Sequence, residues 1–192
     1  MNDNPEINLL LNKLISESEK YSDISYLLHP GSIYKTGSVK IVLITDNPAL
    51  NDKISGYYLS GRAGKTAKKV FENYPIDNIK YSEILILPKC HIIAENNDDL
   101  KKIKNTHPLL FNLSQQYLAN IIYEIFKSDN NCRFWFLQTT GVDPELFSEY
   151  YWTLKNLTLK NENFYKKCFF FNHFSGNHFE LDMLRYFYMK CP

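Results

Sequence analysis

Four short apolar runs divide the chain, with helix-patterned or polar stretches between them. Ile41-Val42-Leu43-Ile44 has no polar break, as a strand buried on both faces requires, and Thr45-Asp46-Asn47-Pro48 closes it with turn formers. A strand from Val39 to Thr45 is therefore expected. Ser82 to Pro88 (SEILILP), Arg133 to Gln138 (RFWFLQ) and Cys168 to Asn172 (CFFFN) supply three more. Helical spacing appears between them. Ile7, Leu10, Leu11, Leu14 and Ile15 form one face, Asn4 is placed to cap it and Pro5 suits the first turn, so a helix to about Lys20 follows. Further helices are expected from Lys65 to about Asn73, from a Ser114 cap through Leu118, Ile121, Ile122 and Ile125, from Asp143-Pro144-Glu145 to about Leu157, and over Phe179 to Tyr188. Tyr21 to Ser38 and the polar stretch Glu95 to Asn105 read as loops.

Strand and helix alternate four times, which predicts an α/β fold: one domain over residues 1–192, three layers (α/β/α), with a central, mainly parallel four-stranded sheet. Such sheets bind ligands outside the carboxyl ends of their strands, where the strand order switches direction. Three of these ends carry polar loops, Thr45-Asp46-Asn47, Lys89-Cys90-His91 and Asn172-His173, and they are expected to converge. The first strand is followed by about fifteen loop residues, against roughly 4–6 in most connections, which marks that loop as part of a site.

Composition narrows the function classes. With 22 basic and 21 acidic side chains the chain lacks the charge excess of a protein that coats nucleic acid in bulk, although a local basic face is compatible with it. Its 14 Tyr and 13 Phe supply large rings for a core. The four cysteines are far apart with no CxxC spacing, so buried free thiols are expected and no metal site. No apolar run approaches the roughly 18 residues of a membrane span, and no basic region precedes the first apolar residues, so a cytoplasmic monomer is expected.

Gly61-Arg62-Ala63-Gly64-Lys65-Thr66 contains half of a phosphate loop, but the first glycine of that motif would fall at Leu59, so the cradle for a nucleoside triphosphate is missing. The glycines remain suited to bringing a helix N-terminus close to a phosphate or a base. Asp46-Asn47-Pro48 is compatible with a plain turn, and equally with a carboxylate or amide placed to orient a water. His173, directly after a strand, is either a core residue or an imidazole able to stabilise a developing anion. His173 and His178 have no acid or thiol at helpful spacing for a metal.

In order along the chain, these residues resemble the uracil-DNA glycosylase superfamily, nearest its iron-sulfur-containing branch. Thr45-Asp46-Asn47-Pro48-Ala49 takes the place of that branch's Gly-Glu-Ala-Pro-Gly, Gly56 stands ten residues after Asp46, and Gly61-Arg62-Ala63-Gly64 matches its Gly-[Arg/Lys]-Ala-Gly. Pro88-Lys89-Cys90-His91 is similar to its Val-Lys-Cys-Arg, Ser114 to Leu118 to its Cys-x-Pro-Tyr-Leu, and His173-Phe174-Ser175 to its His-Pro-Ser. The resemblance implies hydrolysis of the N-glycosidic bond of a base flipped out of DNA, uracil or a related one. It gives Asp46 or Asn47 the attacking water and His173 the departing base anion. Thr45, Pro48, Tyr58, Leu59, Ile86, Ser175 and Asn177 are its implied base-pocket positions, and Gly61, Arg62, Gly64, Lys65 and Lys89 its implied DNA contacts.

Leu59 stands where the family stacks an aromatic ring on uracil, with Tyr58 beside it as a substitute, and Ile86 stands where it reads the base edge with Asn. Of the cluster ligands Cys90 remains, Ser114 occupies another position and no CxxC precedes the first strand, so no cofactor is expected. Two other readings compete: a catalytically silent member of the fold that binds nucleic acid or a protein, and a small-molecule enzyme using the same cleft.

Overall fold

The four apolar runs form a single sheet. The computed structural model describes residues 4–28, 39–73, 78–129, 131–138, 144–159, 161–172 and 182. Strands β1 (Ile41–Thr45), β2 (Ile84–Pro88), β3 (Arg133–Gln138) and β4 (Cys168–Asn172) are all parallel, in the order β2-β1-β3-β4. The helices are α1 (Pro5–Ser18), α2 (Leu50–Ser55), α3 (Arg62–Asn73), α4 (Asn97–Thr106), α5 (Pro108–Ser128), α6 (Ser148–Thr158) and α7 (Glu162–Tyr165).

Alternating side chains of β1 and β3 enter opposite cores, as the two-residue period of a strand dictates, while the edge strand β4 leaves Phe170 exposed. Val42, Ile44, Leu85, Leu87, Phe134 and Phe136 pack on α1, α5 and α6. Ile41, Leu43, Ile84, Trp135 and Leu137 pack on Ala67, Val70 and Phe71 of α3. Three layers result, α/β/α. Crossovers of one hand must change face when they change direction. The step from β1 to β2 uses α3 on one face, and the steps onward to β3 and β4 use α4 to α7 on the other. The strand order therefore switches between β1 and β3, and Asp46 follows directly from the end of β1.

Several local expectations need correction. Glu95 to Asn105 is not a loop, because Asn96 Oδ1 caps the Asp99 amide at 3.0 Å, Asp98 and Asp99 sit in the positive first turn, and buried Leu100 anchors α4 to the core. The long helix starts at Pro108 rather than at Ser114, with proline at its first position, and Ser114 is buried inside it. The loop after β1 contains α2, and α3 begins at Arg62, three residues before the expected start, so Gly64 lies within the helix. Pro144 to Phe147 forms a 3₁₀ turn leading into α6. Asp143, the stretch 29–38 and, apart from Asp182, the expected helix over 179–188 lie outside the described residues. Among the described residues no helix is long and apolar enough to cross a membrane.

Candidate functional site

The carboxyl ends of β1, β2 and β3 are tied together by one buried cation. The main-chain N–H of Lys89, just past β2, donates to the carbonyls of Thr45 and Asp46, both at 2.8 Å, which lays the end of β2 over the end of β1. Its side chain then crosses β1. Lys89 Nζ pairs with the Asp46 carboxylate, donates to the Leu137 carbonyl of β3 at 2.7 Å, and lies 5.2 Å from the ring centroid of Phe147 and 5.6 Å from that of Tyr151. Only 2% of the lysine side chain and 13% of the aspartate side chain are exposed. Lys89, expected at the DNA interface, is thus withdrawn from the surface and spent on the switch point.

A cavity of about 160 Å³ opens beside this pair, lined among others by Thr45, Asp46, Asn47, Asp52, Leu59 and Glu95. It is smaller than the roughly 300–1,000 Å³ of drug-sized ligand pockets, a scale suited to one ring rather than a whole nucleotide. Asn47 is fixed in it by two bonds from Nδ2, to Pro48 O at 3.0 Å and Ala94 O at 3.2 Å. These acceptors assign the amide orientation, because only the nitrogen can donate to two carbonyls.

The outer wall is held by Asp52, which the sequence did not single out. Its Oδ2 accepts from Ala49 N at 3.1 Å, capping α2, and its Oδ1 accepts from Ser60 N at 2.7 Å and Ser60 Oγ at 2.8 Å. The loop is closed on itself across eight residues. Its position three residues after Ala49 was the available signal, since that is the capping-box acid position. Within the wall Leu59 takes a left-handed φ of 54°, a conformation few non-glycine residues adopt. Gly64 packs so tightly on the Leu59 carbonyl that a Cβ there would sit 1.3 Å from the oxygen. The second glycine of Gly-Arg-Ala-Gly is therefore a packing requirement. It is buried, whereas Arg62 and Lys65 on the same turn are exposed and Gly61 is half-buried.

Of the positions expected to form one base pocket, Thr45, Asp46, Asn47 and Leu59 share the cavity. Pro48 is buried and is not among the lining residues. Tyr58 is turned away: it is 8% exposed, packs with Leu27 and Ile93, and its hydroxyl donates to Leu27 O at 2.9 Å, so Leu59 and not this ring lines the cavity. Ile86 is half-buried against the same Tyr58 cluster and outside the lining. His173, Ser175 and Asn177 lie outside the described residues. The residue before them, Asn172, donates from its main-chain N–H and from Nδ2 to Asp182 Oδ2 at 2.8 and 2.7 Å.

A buried polar chain that spacing did not reveal links α1, the residues after β2 and α5. His91 Nε2 and Ser18 Oγ are 2.6 Å apart, Ser18 donates to Leu14 O, and His91 Nδ1 and Ser114 Oγ are 2.6 Å apart. Because Ser18 already donates elsewhere, Nε2 carries the proton and Nδ1 accepts. Cys90 Sγ lies 3.3 Å from Ser114 Oγ. Burial pushes the His91 pKa down to about 3 and the Cys90 thiol up to about 11. Among the described residues no group of three or more His, Cys, Asp or Glu side chains is arranged to hold a metal.

The His91 shift has a consequence for stability. Its ordinary pKa is near 6.5, so between about pH 3 and 6.5 the unfolded chain binds a proton that the folded chain refuses, and stability rises with pH across that window. The contribution is complete above pH 6.5 and is lost on acidification at up to about 1.4 kcal/mol per pH unit. Urea unfolding between pH 4 and 7 checks this. His91→Gln is expected to give a shallower dependence than the wild type, and parallel curves would rule the account out.

Comparisons with protein-family models, with curated proteins and with solved structures find no match to this chain.

Proposed function

We propose that the chain is a DNA glycosylase that takes a flipped base into the cavity beside Asp46 and hydrolyses its N-glycosidic bond. The observation that carries this reading is the placement of a fixed carboxylate at the switch point of a doubly wound sheet, on the wall of a cavity of one-ring size. Bond cleavage builds positive charge on the sugar and negative charge on the departing base. Asp46, held in one orientation by Lys89, opposes the first and aligns the attacking water. His173 follows β4 in sequence and is assigned the second charge. Arg62 and Lys65, exposed at the start of α3, are suited to the phosphates flanking the flipped nucleotide.

Two features support the resemblance behind this reading. Cys90 and Ser114, the positions aligned with cluster ligands, meet at 3.3 Å although 24 residues apart, and Gly64 of the glycine motif is fixed by close packing on the pocket wall. One observation favours the silent binding module instead: Lys89 occupies part of the Asp46 carboxylate that a water would otherwise use.

Incubation with oligonucleotides bearing uracil, hypoxanthine, xanthine or hydroxymethyluracil or a modified cytosine, followed by alkali, separates the two. Strand breakage that drops about 100-fold or more in Asp46→Asn and His173→Ala is the expected result. Breakage with no substrate, or unchanged in both variants, would discard the enzymatic reading, and retained DNA binding in a gel shift would then identify the binding module.

A further inference from the structure

We propose that the groove between α5 and α6 is a stacking platform for an unpaired base of single-stranded DNA, with Trp152 as the ring on which the base lies. The inference rests on reading the chain as a DNA-binding protein, and not on the cavity beside Asp46 being a base pocket. Trp152 is 63% exposed, whereas Trp135, the other tryptophan, is fully buried. The indole borders a groove of about 330 Å³, lined by Gln116 and Asn120 of α5 and by Trp152, Thr153, Asn156 and Leu157 of α6. Among the described residues this lining shares no member with that of the Asp46 cavity.

Two amides are held in place beside the ring. Gln116 Nε2 donates to Glu149 Oε1 at 2.8 Å and Asn120 Nδ2 donates to the Gln116 carbonyl at 2.8 Å, which fixes each orientation and leaves each amide a second N–H and its side-chain oxygen. Asn156, one turn after Trp152, presents a third amide and is exposed. A flat apolar face edged by groups that both donate and accept matches a nucleobase, whose π-face stacks and whose edge carries donors and acceptors in the plane of the ring. An apolar side chain of a protein partner would cover the indole but leave the amides without partners. Bases in a duplex already have their faces covered by their neighbours, so the base that fits is an unpaired one. Lys155, exposed three residues after Trp152 and therefore on the same side of α6, supplies a cation for the adjoining phosphate.

Titration at low salt with an undamaged single strand of about twelve deoxyadenosines is expected to quench indole emission to a plateau, since Trp152 is open to stacking and Trp135 is out of reach in the core. The same strand in a duplex, or one with abasic tetrahydrofuran units in place of its nucleosides, is expected to leave the emission nearly unchanged. Anisotropy of a labelled strand is expected to show affinity falling about fivefold or more in Trp152→Ala and returning to within about twofold of the wild type in Trp152→Tyr, whose ring also stacks. The exposure of Trp152 keeps both variants folded. Equal quenching by the abasic strand, quenching by a neutral oligosaccharide in place of DNA, or no quenching by any strand overturns the proposal. An undamaged strand offers nothing to excise, so a chain that cleaves no substrate can still quench, and a chain that excises a base without quenching loses this platform alone.

Discussion

Lys89→Met is expected to lower the unfolding free energy by about 3–5 kcal/mol, because it leaves the Asp46 carboxylate half-enclosed without its cation and the Leu137 carbonyl without its donor. The charge matters more than the volume, since Met fills nearly the same space between Phe147 and Tyr151. Combining Lys89→Met with Asp46→Asn removes both charges, and the double variant is expected to cost clearly less than the sum of the two single changes. Denaturant unfolding of the four proteins measures this directly. A loss below about 1 kcal/mol in Lys89→Met, the range of exposed ion pairs, would mean that water reaches the pair and that it does not organise the strand ends.

Gly64→Ala should be as damaging, and its sign is informative. In an ordinary helix interior alanine is better than glycine by about 1 kcal/mol. Here the new methyl would lie 1.3 Å from the Leu59 carbonyl oxygen and 2.5 Å from its carbon, both main-chain atoms that no rotamer change can move. The helix and the loop must separate, at an expected cost of about 3 kcal/mol or more. Gly61→Ala is the control: its Cβ would meet nothing nearer than Asn51 Nδ2 at 3.9 Å, and an effect within about 0.5 kcal/mol is expected. Thermal melts of both variants suffice, and a Gly64→Ala protein as stable as the wild type would contradict the packing described for the wall.

How much of this was legible in the sequence follows from which forces are local. The four strands were, because runs such as Ile41 to Ile44 and Phe134 to Leu137 are buried on both faces and carry that burial in their composition. α4 was misread since its polar residues belong to a solvated face, and a single buried leucine, Leu100, pins it to the core. At the site, Asp46 and Asn47 stood out as polar residues at a strand end, and Thr45 and Leu59 were found with them.

The pairing of Lys89 with Asp46 was not visible, because the contact spans 43 residues and depends on β2 lying beside β1. For the same reason Lys89 read as a surface cation and Tyr58 as a ring free to stack. Its hydroxyl instead reaches Leu27, 31 residues earlier, a bond no spacing rule encodes. Ser114 looked like a helix cap because serine favours caps, yet its hydroxyl is used 23 residues away on His91.

The central claim is that the cavity between Asp46, Asn47 and Leu59 receives a base from DNA. Amide chemical shifts recorded while adding a short oligonucleotide with one hydrolysis-resistant, fluorinated nucleotide test it most directly. Shifts gathered on residues 45–60 and 94–97, with a second set at Gly61 to Lys65 for the flanking phosphates, are the predicted result. Shifts gathered on the apolar groove around Tyr151, Phe164 and Phe170, or none at all at low salt, would contradict it.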